Sequence, residues 1–314
     1  MKISGFSMVK NATKLYYPIR QAIESILPIC DEFILALGDC DDDDKTRDEV
    51  LSIGSEKIQI IDTIWDLEKY SRGTENAHQT DIAKQSCSGD WVFYVQADEV
   101  IHEDDHEVIV NACNKYLNND KIEGLLFKYL HFWGDYNHYH TTHGWYKNEI
   151  RIVKNNPDIH SWESAQSFRR IPNFDYVNYR QQKNTFKLNV KEIDAYIYHY
   201  GWVRPPKYMR NKKKALDIIH KGNKKVDSLY ENIAEEFDYG PLDKISIFDG
   251  SHPKVMESWI SKFDWEDKLY FDGNLRTDRD LFKHEKNKYK LITFLENVLF
   301  NGKELFGHKN WNKV

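Results

Sequence analysis

The sequence predicts an α/β fold in which a mostly parallel central sheet carries helices on its faces. Three observations support this. Strand-like and helix-like stretches alternate from Ile3 to Leu117, the pattern of parallel strands joined by helical crossovers. Trp91 to Val95 is an unbroken apolar run behind a Ser88-Gly89-Asp90 turn, as expected of a strand buried on both faces. The 314 residues, 40% of them hydrophobic and 14% aromatic, are enough for one large core with an appendage.

In chain order, Ile3 to Val9 is the first expected strand. Pro18, a residue suited to a first helical turn, opens a helix that places Ile19, Ala22, Ile23, Ile26 and Leu27 on one face. Glu32 to Leu37 is the second strand; Gly38, Asp39 and the acidic run Asp41 to Asp44 follow, then a short helix over Thr46 to Ile53 and a third strand over Lys57 to Ile61. Asp39, Asp41 and Asp43 alternate as calcium ligands would. Asp44 stands where a calcium loop needs glycine, and Val50 where it needs glutamate, which excludes an EF-hand. Asp39 lies nearest the strand end, where a carboxylate can accept a hydrogen bond from a base or a ribose. Arg72 to Cys87 is expected to run from loop into helix, with His78, Gln79 and Asp81 as candidates to face a cleft, although each taken alone reads first as a surface residue.

After the Trp91 strand, Asp104 to Leu117 forms an amphipathic helix with Val108, Ile109, Ala112 and Tyr116 on one face. Gly124 to Phe132 and Asn148 to Val153 are further strands, joined by a loop bearing His138, His140 and His143. That spacing matches no common zinc pattern; the loop's Tyr and Trp faces suit sugar stacking, with ordinary loop packing as an equal alternative. Ala195 to Tyr200 is the last strand, ending at His199, Gly201 and Trp202. Pro205-Pro206 opens a helix bearing Lys207, Arg210, Lys212, Lys213 and Lys214, which reads as a solvated face, with substrate phosphates or a peripheral contact to an anionic bilayer as alternatives. Past residue 225 the rhythm fades. Residues 1–225 are therefore expected to form the α/β domain and residues 226–314 a helical extension packed on it, with an apolar helix over Leu291 to Phe300 folded back onto the body.

The chemistry is expected just after Val95, where Gln96, Asp98 and Glu99 follow a buried strand, because open α/β sheets bind ligands outside the carboxyl ends of their strands. A carboxylate on a rigid strand end is a hard oxygen ligand, and Mg²⁺ or Mn²⁺ takes only one or two such groups, completing its shell with water and substrate phosphates. Asp98 suits that role; the alternative is that Asp98 and Glu99 cap the helix near Asp104.

Other classes are disfavoured. A net charge of −6 gives no global case for nucleic acid. No apolar run approaches the ~20 residues needed to cross a bilayer, and MKISGFSMVKN lacks the features of a secretory signal, so the expected location is the cytosol. Cys30, Cys40, Cys87 and Cys113 form no C-x-x-C pair and read as buried thiols. P-loop, dinucleotide-binding and nucleophile-elbow motifs do not occur.

The order of strand, Asp39 at a second strand end, polar helix start and WVFYVQADE resembles the nucleotide-binding half of family-two-like glycosyltransferases with the A-type fold. NEIRIVKN, AYIYHYGWVRPPKYM and FDGSHPKVM resemble later blocks of a bacterial subgroup of these enzymes, so the likeness spans most of the chain. The resemblance implies a nucleotide-sugar donor, a glycan or lipid-linked acceptor, a divalent cation (Mn²⁺ or Mg²⁺) bridging the diphosphate, and single displacement with inversion. By position, Asp39 would bind the nucleotide, Asp98 would be the second acid of an Asp-x-Asp metal motif, and His199 a further metal ligand; His78, Asp81 and Gln96 complete the expected donor side. Gln96 departs from the family pattern, since it replaces the motif's first acid and supplies no charge. Glu163, in HSWESAQSF, is the candidate base for the acceptor hydroxyl. Two other functions compete: a sugar nucleotidyltransferase, whose Gly-rich basic N-terminal loop is missing here, and a non-catalytic glycan-binding relative, which the retained Asp98, His199 and Glu163 argue against.

Overall fold

The protein is described from a computed structural model that covers residues 1–231, 233–271, 273, 279–300, 304–305, 307 and 309–314, with Lys224 in its backbone alone. β1 (Ile3–Val9), α1 (Ile19–Ile26), β2 (Glu32–Leu37), α2 (Thr46–Leu51), β3 (Ile58–Asp62), α3 (Thr74–Gln85) and β4 (Trp91–Tyr94) alternate as predicted, and the four strands lie side by side and parallel in the order β3-β2-β1-β4. Alternation along β2 divides the core. Phe33, Leu35 and Leu37 pack under α1 and α4 (His106–Tyr116), whereas Ile34 and Ala36 join Phe6, Val92 and Tyr94 on the α3 side. Within α4 the buried residues are Ile109, Ala112 and Cys113, while Val108, expected on that face, is exposed.

Past β4 lies a short strand, β5 (Glu99–Ile101), which the sequence did not signal. β6 (Gly124–Trp133) and β8 (Asn148–Lys154) flank β7 (His138–His140) in the chain; β8 runs antiparallel to both β4 and β6, so β6 has the direction of the parallel block. The hairpin of β9 (Ile159–Trp162) and β10 (Ser167–Arg170) was likewise unforeseen.

β11 (Phe186–Trp202) is far longer than the expected Ala195 to Tyr200 and pairs with β5, β6 and β10. Its outer half alternates exposed Phe186 and Lys187 with buried Leu188 and Val190, too few apolar residues to announce a strand. α5 (Pro206–Lys221) and α6 (Asn223–Tyr230) follow.

The C-terminal stretch adds β12 (Ser246–Ile247) on β7, α7 (Glu257–Ile260), α8 (Asn287–Leu299) and β13 (Trp311–Lys313), which pairs with β11. Tyr239, Leu242, Met256 and Trp265 share one buried cluster with Phe132, Trp133 and Tyr200 at the ends of β6 and β11. α8 departs from expectation: Leu291, Phe294, Val298 and Leu299 are exposed, and Glu296 is the residue it buries.

Candidate functional site

A cleft of about 480 Å³ opens at the carboxyl ends of β1 and β4. The strand order reverses there, with β2 on one side of β1 and β4 on the other, the place where open α/β sheets bind ligands. Lys10 and Asn11 contribute from the end of β1, Trp65 from beyond β3, Gln96 and Asp98 from the turn after β4, His199 and Trp202 from β11, and Lys212 and His220 from α5. A larger depression of about 690 Å³, lined by Ser88, Gly89 and Asp90, sits at the amino end of β4, the wrong end of the sheet for this role.

Asp98 is buried at the centre of three basic groups. Its Oδ2 lies 3.5 Å from Lys212 Nζ, 3.9 Å from His199 Nε2 and 4.0 Å from Arg204 Nη2. Burial pushes the carboxyl up, but the neighbouring cations, Lys212 foremost, outweigh it and hold Asp98 below the ordinary carboxylate range. Lys212 Nζ also donates to Gly201 O at 2.6 Å, and burial followed by the Arg204 charge brings its own pKa down to about 8. Backbone geometry sets this arrangement. The β11–β6 register shifts between His199 and Trp202, and within that irregularity Tyr200 N donates to Asp98 O at 2.8 Å, which ties the turn after β4 to β11.

The histidine tautomer follows from hydrogen-bond accounting. His131 Nε2 lies 2.8 Å from Tyr146 O, so that nitrogen carries a hydrogen and donates. Burial, reinforced by His199, holds His131 well below the ordinary histidine range, so its Nδ1 is bare. His199 Nδ1, 3.0 Å from His131 Nδ1, must then donate. Burial also lowers the His199 pKa, so its Nε2 keeps a lone pair that looks toward Asp98 Oδ2.

Two electron-pair donors thus face each other 3.9 Å apart with no hydrogen between them. Gly201 keeps the space beside them open: a Cβ at that position would meet His199 Nε2 and stand 2.8 Å from Asp98 Oδ2. A hard divalent cation suits this pair, since one carboxylate and one neutral imidazole are protein donors that Mn²⁺ accepts, with phosphate oxygens and water for the rest. Among the described residues no three His, Cys, Asp or Glu side chains converge as a ligand set, so such a cation would lean on its substrate for the remaining bonds.

Glu99 has a structural role. Its Oε1 accepts from Arg151 Nη2 at 2.7 Å and from Tyr129 Oη at 2.5 Å; its Oε2 accepts from Arg151 Nε at 2.7 Å and from Gln96 N at 3.1 Å. All three side chains are buried. Arg151 Nη1 continues to Gln166 O, and Gln96 Nε2 donates to Ala165 O at 3.1 Å. This network fixes the strand-end turn against the β9–β10 loop.

The other expected site residues separate into two groups. Asp39 stays at the cleft's edge, its Oδ1 accepting from Trp65 N at 2.9 Å and pairing with Lys10 Nζ at 2.8 Å. Glu163 sits in the β9–β10 loop with φ of 54°, next to Ser164, which lines the cleft, but its own side chain stands beside the wall rather than in it. His78 and Asp81 are not brought to the cleft. Asp81 is buried on the far side of α3, where its Oδ2 lies 3.0 Å from His160 Nδ1 and its Oδ1 accepts from Ser161 N at 2.7 Å. His78 stacks on Tyr70 at 3.9 Å. Asn76 is the α3 residue that reaches the cleft, because helical turns carry positions 78 and 81 to other faces.

The histidine loop is packing. His140 stacks on Trp145 at 4.1 Å, His138 pairs with Asp135, and His143 pairs with Glu296. Nor is the basic stretch of α5 wholly solvated, since Lys212 turns inward to Asp98. Arg204, His131 and Trp65 are site groups that sequence reasoning missed, and Lys212 was named only as one of five basic residues read first as a solvated face. The signal for Arg204 was its place directly after the HYGWV strand end.

No protein-family model and no curated protein matches the chain. Among solved structures, it is similar to S. aureus TarS, with 17% identity, 75% of this chain and 41% of that one covered, and a TM-score of 0.39. It is also similar to glucosyl-3-phosphoglycerate synthase from Mycobacterium tuberculosis in complex with Mn²⁺, UDP and phosphoglyceric acid, with 18% identity, 42% of this chain and 43% of that one covered, and a TM-score of 0.28. The aligned part spans less than half of either protein. Likeness at this level leaves the functional reading to the site.

Proposed function

We propose that this chain is a glycosyltransferase that moves a sugar from a nucleotide-sugar donor to a glycan or lipid-linked acceptor, assisted by Mn²⁺ or Mg²⁺ and with inversion at the anomeric carbon. One observation carries the reading: Asp98 Oδ2 and His199 Nε2 face each other 3.9 Å apart, beside Lys212, in a cleft at the strand-order reversal. That combination suits a diphosphate and its counterion.

Asp98 and His199 would hold the cation, which when bound neutralises the diphosphate as it departs. Lys212 and Lys10, both lining the cleft, offer ammonium groups to phosphate oxygens. Asp39 and Trp65 offer the nucleoside a carboxylate acceptor and an indole face. Arg204, fully buried, holds Asp98 ionised when the cleft is empty. Glu163 takes the acceptor's hydroxyl proton as the new glycosidic bond forms and the bond to the diphosphate breaks.

The deciding experiment is slow hydrolysis of a panel of nucleotide sugars with and without Mn²⁺, followed by titration calorimetry of the matching nucleoside diphosphate. Binding is expected to weaken in EDTA and in Asp98→Ala. Gly201→Ala, whose new Cβ would occupy the space between the two donors, is expected to lose Mn²⁺-dependent binding while keeping its circular dichroism spectrum. Equal affinity in EDTA overturns the metal-assisted reading, and hydrolysis of no nucleotide sugar overturns the transferase.

A further inference from the structure

α8 is built inside out. Its most buried residue is polar: Glu296, 0% exposed, accepts from Leu305 N at 2.7 Å and lies 2.7 Å from His143 Nδ1, while half-buried Thr293 accepts at Oγ1 from His143 N at 2.8 Å, beside half-buried Ile292 and Leu295. Its outward side is apolar. Leu291, Phe294 and Val298, one helical turn apart in succession, are 60%, 61% and 61% exposed. In an ordinary surface helix the apolar stripe faces the core, so this arrangement marks an interaction surface. Thr293 and Glu296 spend their polar groups against the body of the protein rather than in water.

Charge indicates the partner. Lys286, Lys288 and Lys290 lead into the apolar arc, and no Asp or Glu occurs between Lys286 and Leu295. The exposed arc itself carries no carboxylate to answer these lysines, so a partner with negative charge is called for. An anionic bilayer answers both features, since its acyl region takes the apolar arc and its phosphates take ammonium groups on flexible stems. α8 spans 13 residues, and among the described residues no helix is long and apolar enough to cross a membrane, so the fitting geometry is a helix lying in the headgroup plane.

We propose that α8 is a membrane-docking helix that seats Leu291, Phe294 and Val298 in an anionic lipid surface, with Lys286, Lys288 and Lys290 on lipid phosphates. This is independent of the transferase reading, because lipid binding needs neither nucleotide nor acceptor.

The test is flotation of the full chain with vesicles of phosphatidylcholine alone and of phosphatidylcholine with one-third phosphatidylglycerol. The protein is expected to float with the anionic vesicles and to be partly released by high salt. Phe294→Ser with Val298→Ser should reduce the bound fraction about tenfold or more, and Lys288→Glu with Lys290→Glu should remove the preference for anionic lipid. These positions are solvent-facing or half-buried, and thermal melts of the variants check that they fold before flotation is compared. Absence of flotation, or flotation unchanged in the double serine variant, overturns the proposal. So does a wild-type dimer in sedimentation velocity that becomes monomeric in the serine variant, because a second copy would then cover the face.

Discussion

The Nδ1 atoms of His131 and His199 lie 3.0 Å apart, and since His131 spends its only hydrogen on Tyr146 O, the hydrogen between the rings belongs to His199. His131 therefore decides which nitrogen of His199 meets the cleft. Replacing His131 by Phe would leave the His199 Nδ1 hydrogen without its acceptor and release the ring. Mn²⁺ affinity is expected to fall by about 10- to 100-fold, as removal of such supporting groups does elsewhere. Calorimetry measures the affinity, and ¹⁵N chemical shifts of the His199 ring report the tautomer in the metal-free protein. A wild-type ring protonated on Nε2 would contradict the relay whatever the metal does.

Lys212 makes a pH prediction. Its ammonium form is the one that would bind phosphate oxygens, and its pKa is brought down to about 8 by burial and then by Arg204. The charge is present below that value and lost above it. Nucleoside diphosphate affinity should accordingly decline as pH rises from 7 to 9, and the decline should be missing from Lys212→Met. An identical alkaline decline in the variant would assign it to another group.

Glu163→Gln is expected to leave donor binding intact and to lower transfer by ~10² to 10⁴, the range of a general base. The amide preserves shape and removes basicity. Full transfer in this variant would redirect the search, and Glu99 and Asp135 are poor replacements because Arg151 and His138 already occupy their carboxylates.

Arg151→Met tests the support beneath the site. Arg151 and Glu99 are both buried, so the substitution leaves a carboxylate in the core with only Tyr129 and Gln96 N to satisfy it. A loss of about 3–5 kcal/mol in denaturant unfolding is expected, the cost typical of breaking a buried pair from one side. Asp39→Ala, at the rim, should leave stability near wild type and weaken nucleotide binding.

The parallel half of the fold was legible because it uses strong local signals. β1 and β2 are recovered to the residue, since β2 is a dense apolar run, β1 is rich in apolar residues, and a turn follows each. β5, β7 and β12 are three residues long or shorter and owe their conformation to partners distant in sequence, which no local pattern reveals. Asp98 and His199 were legible as polar residues at strand ends. Lys212 was not, because five basic residues decorate one helix and only the packing of α5 against Gly201 selects the one turned inward. His131 was hidden for a similar reason: within β6 it reads as one polar position among apolar neighbours, and its meaning arises from β11 alongside. Asp81 misled because an acid on a helix beside a cleft looks like a ligand until the helix phase is known.

The hydrogen bond from Gln96 Nε2 to Ala165 O has a kinetic consequence. It joins the turn after β4 to the loop that carries Glu163, so in the proposed transferase the two would move as one mechanical unit. Filling the donor side would set the loop before an acceptor arrives, which predicts a compulsory order of addition with the nucleotide sugar first. The released nucleoside diphosphate should then compete with the donor and act as a noncompetitive inhibitor toward the acceptor. Gln96→Leu, which cuts the tie and keeps the bulk, should convert that order to random.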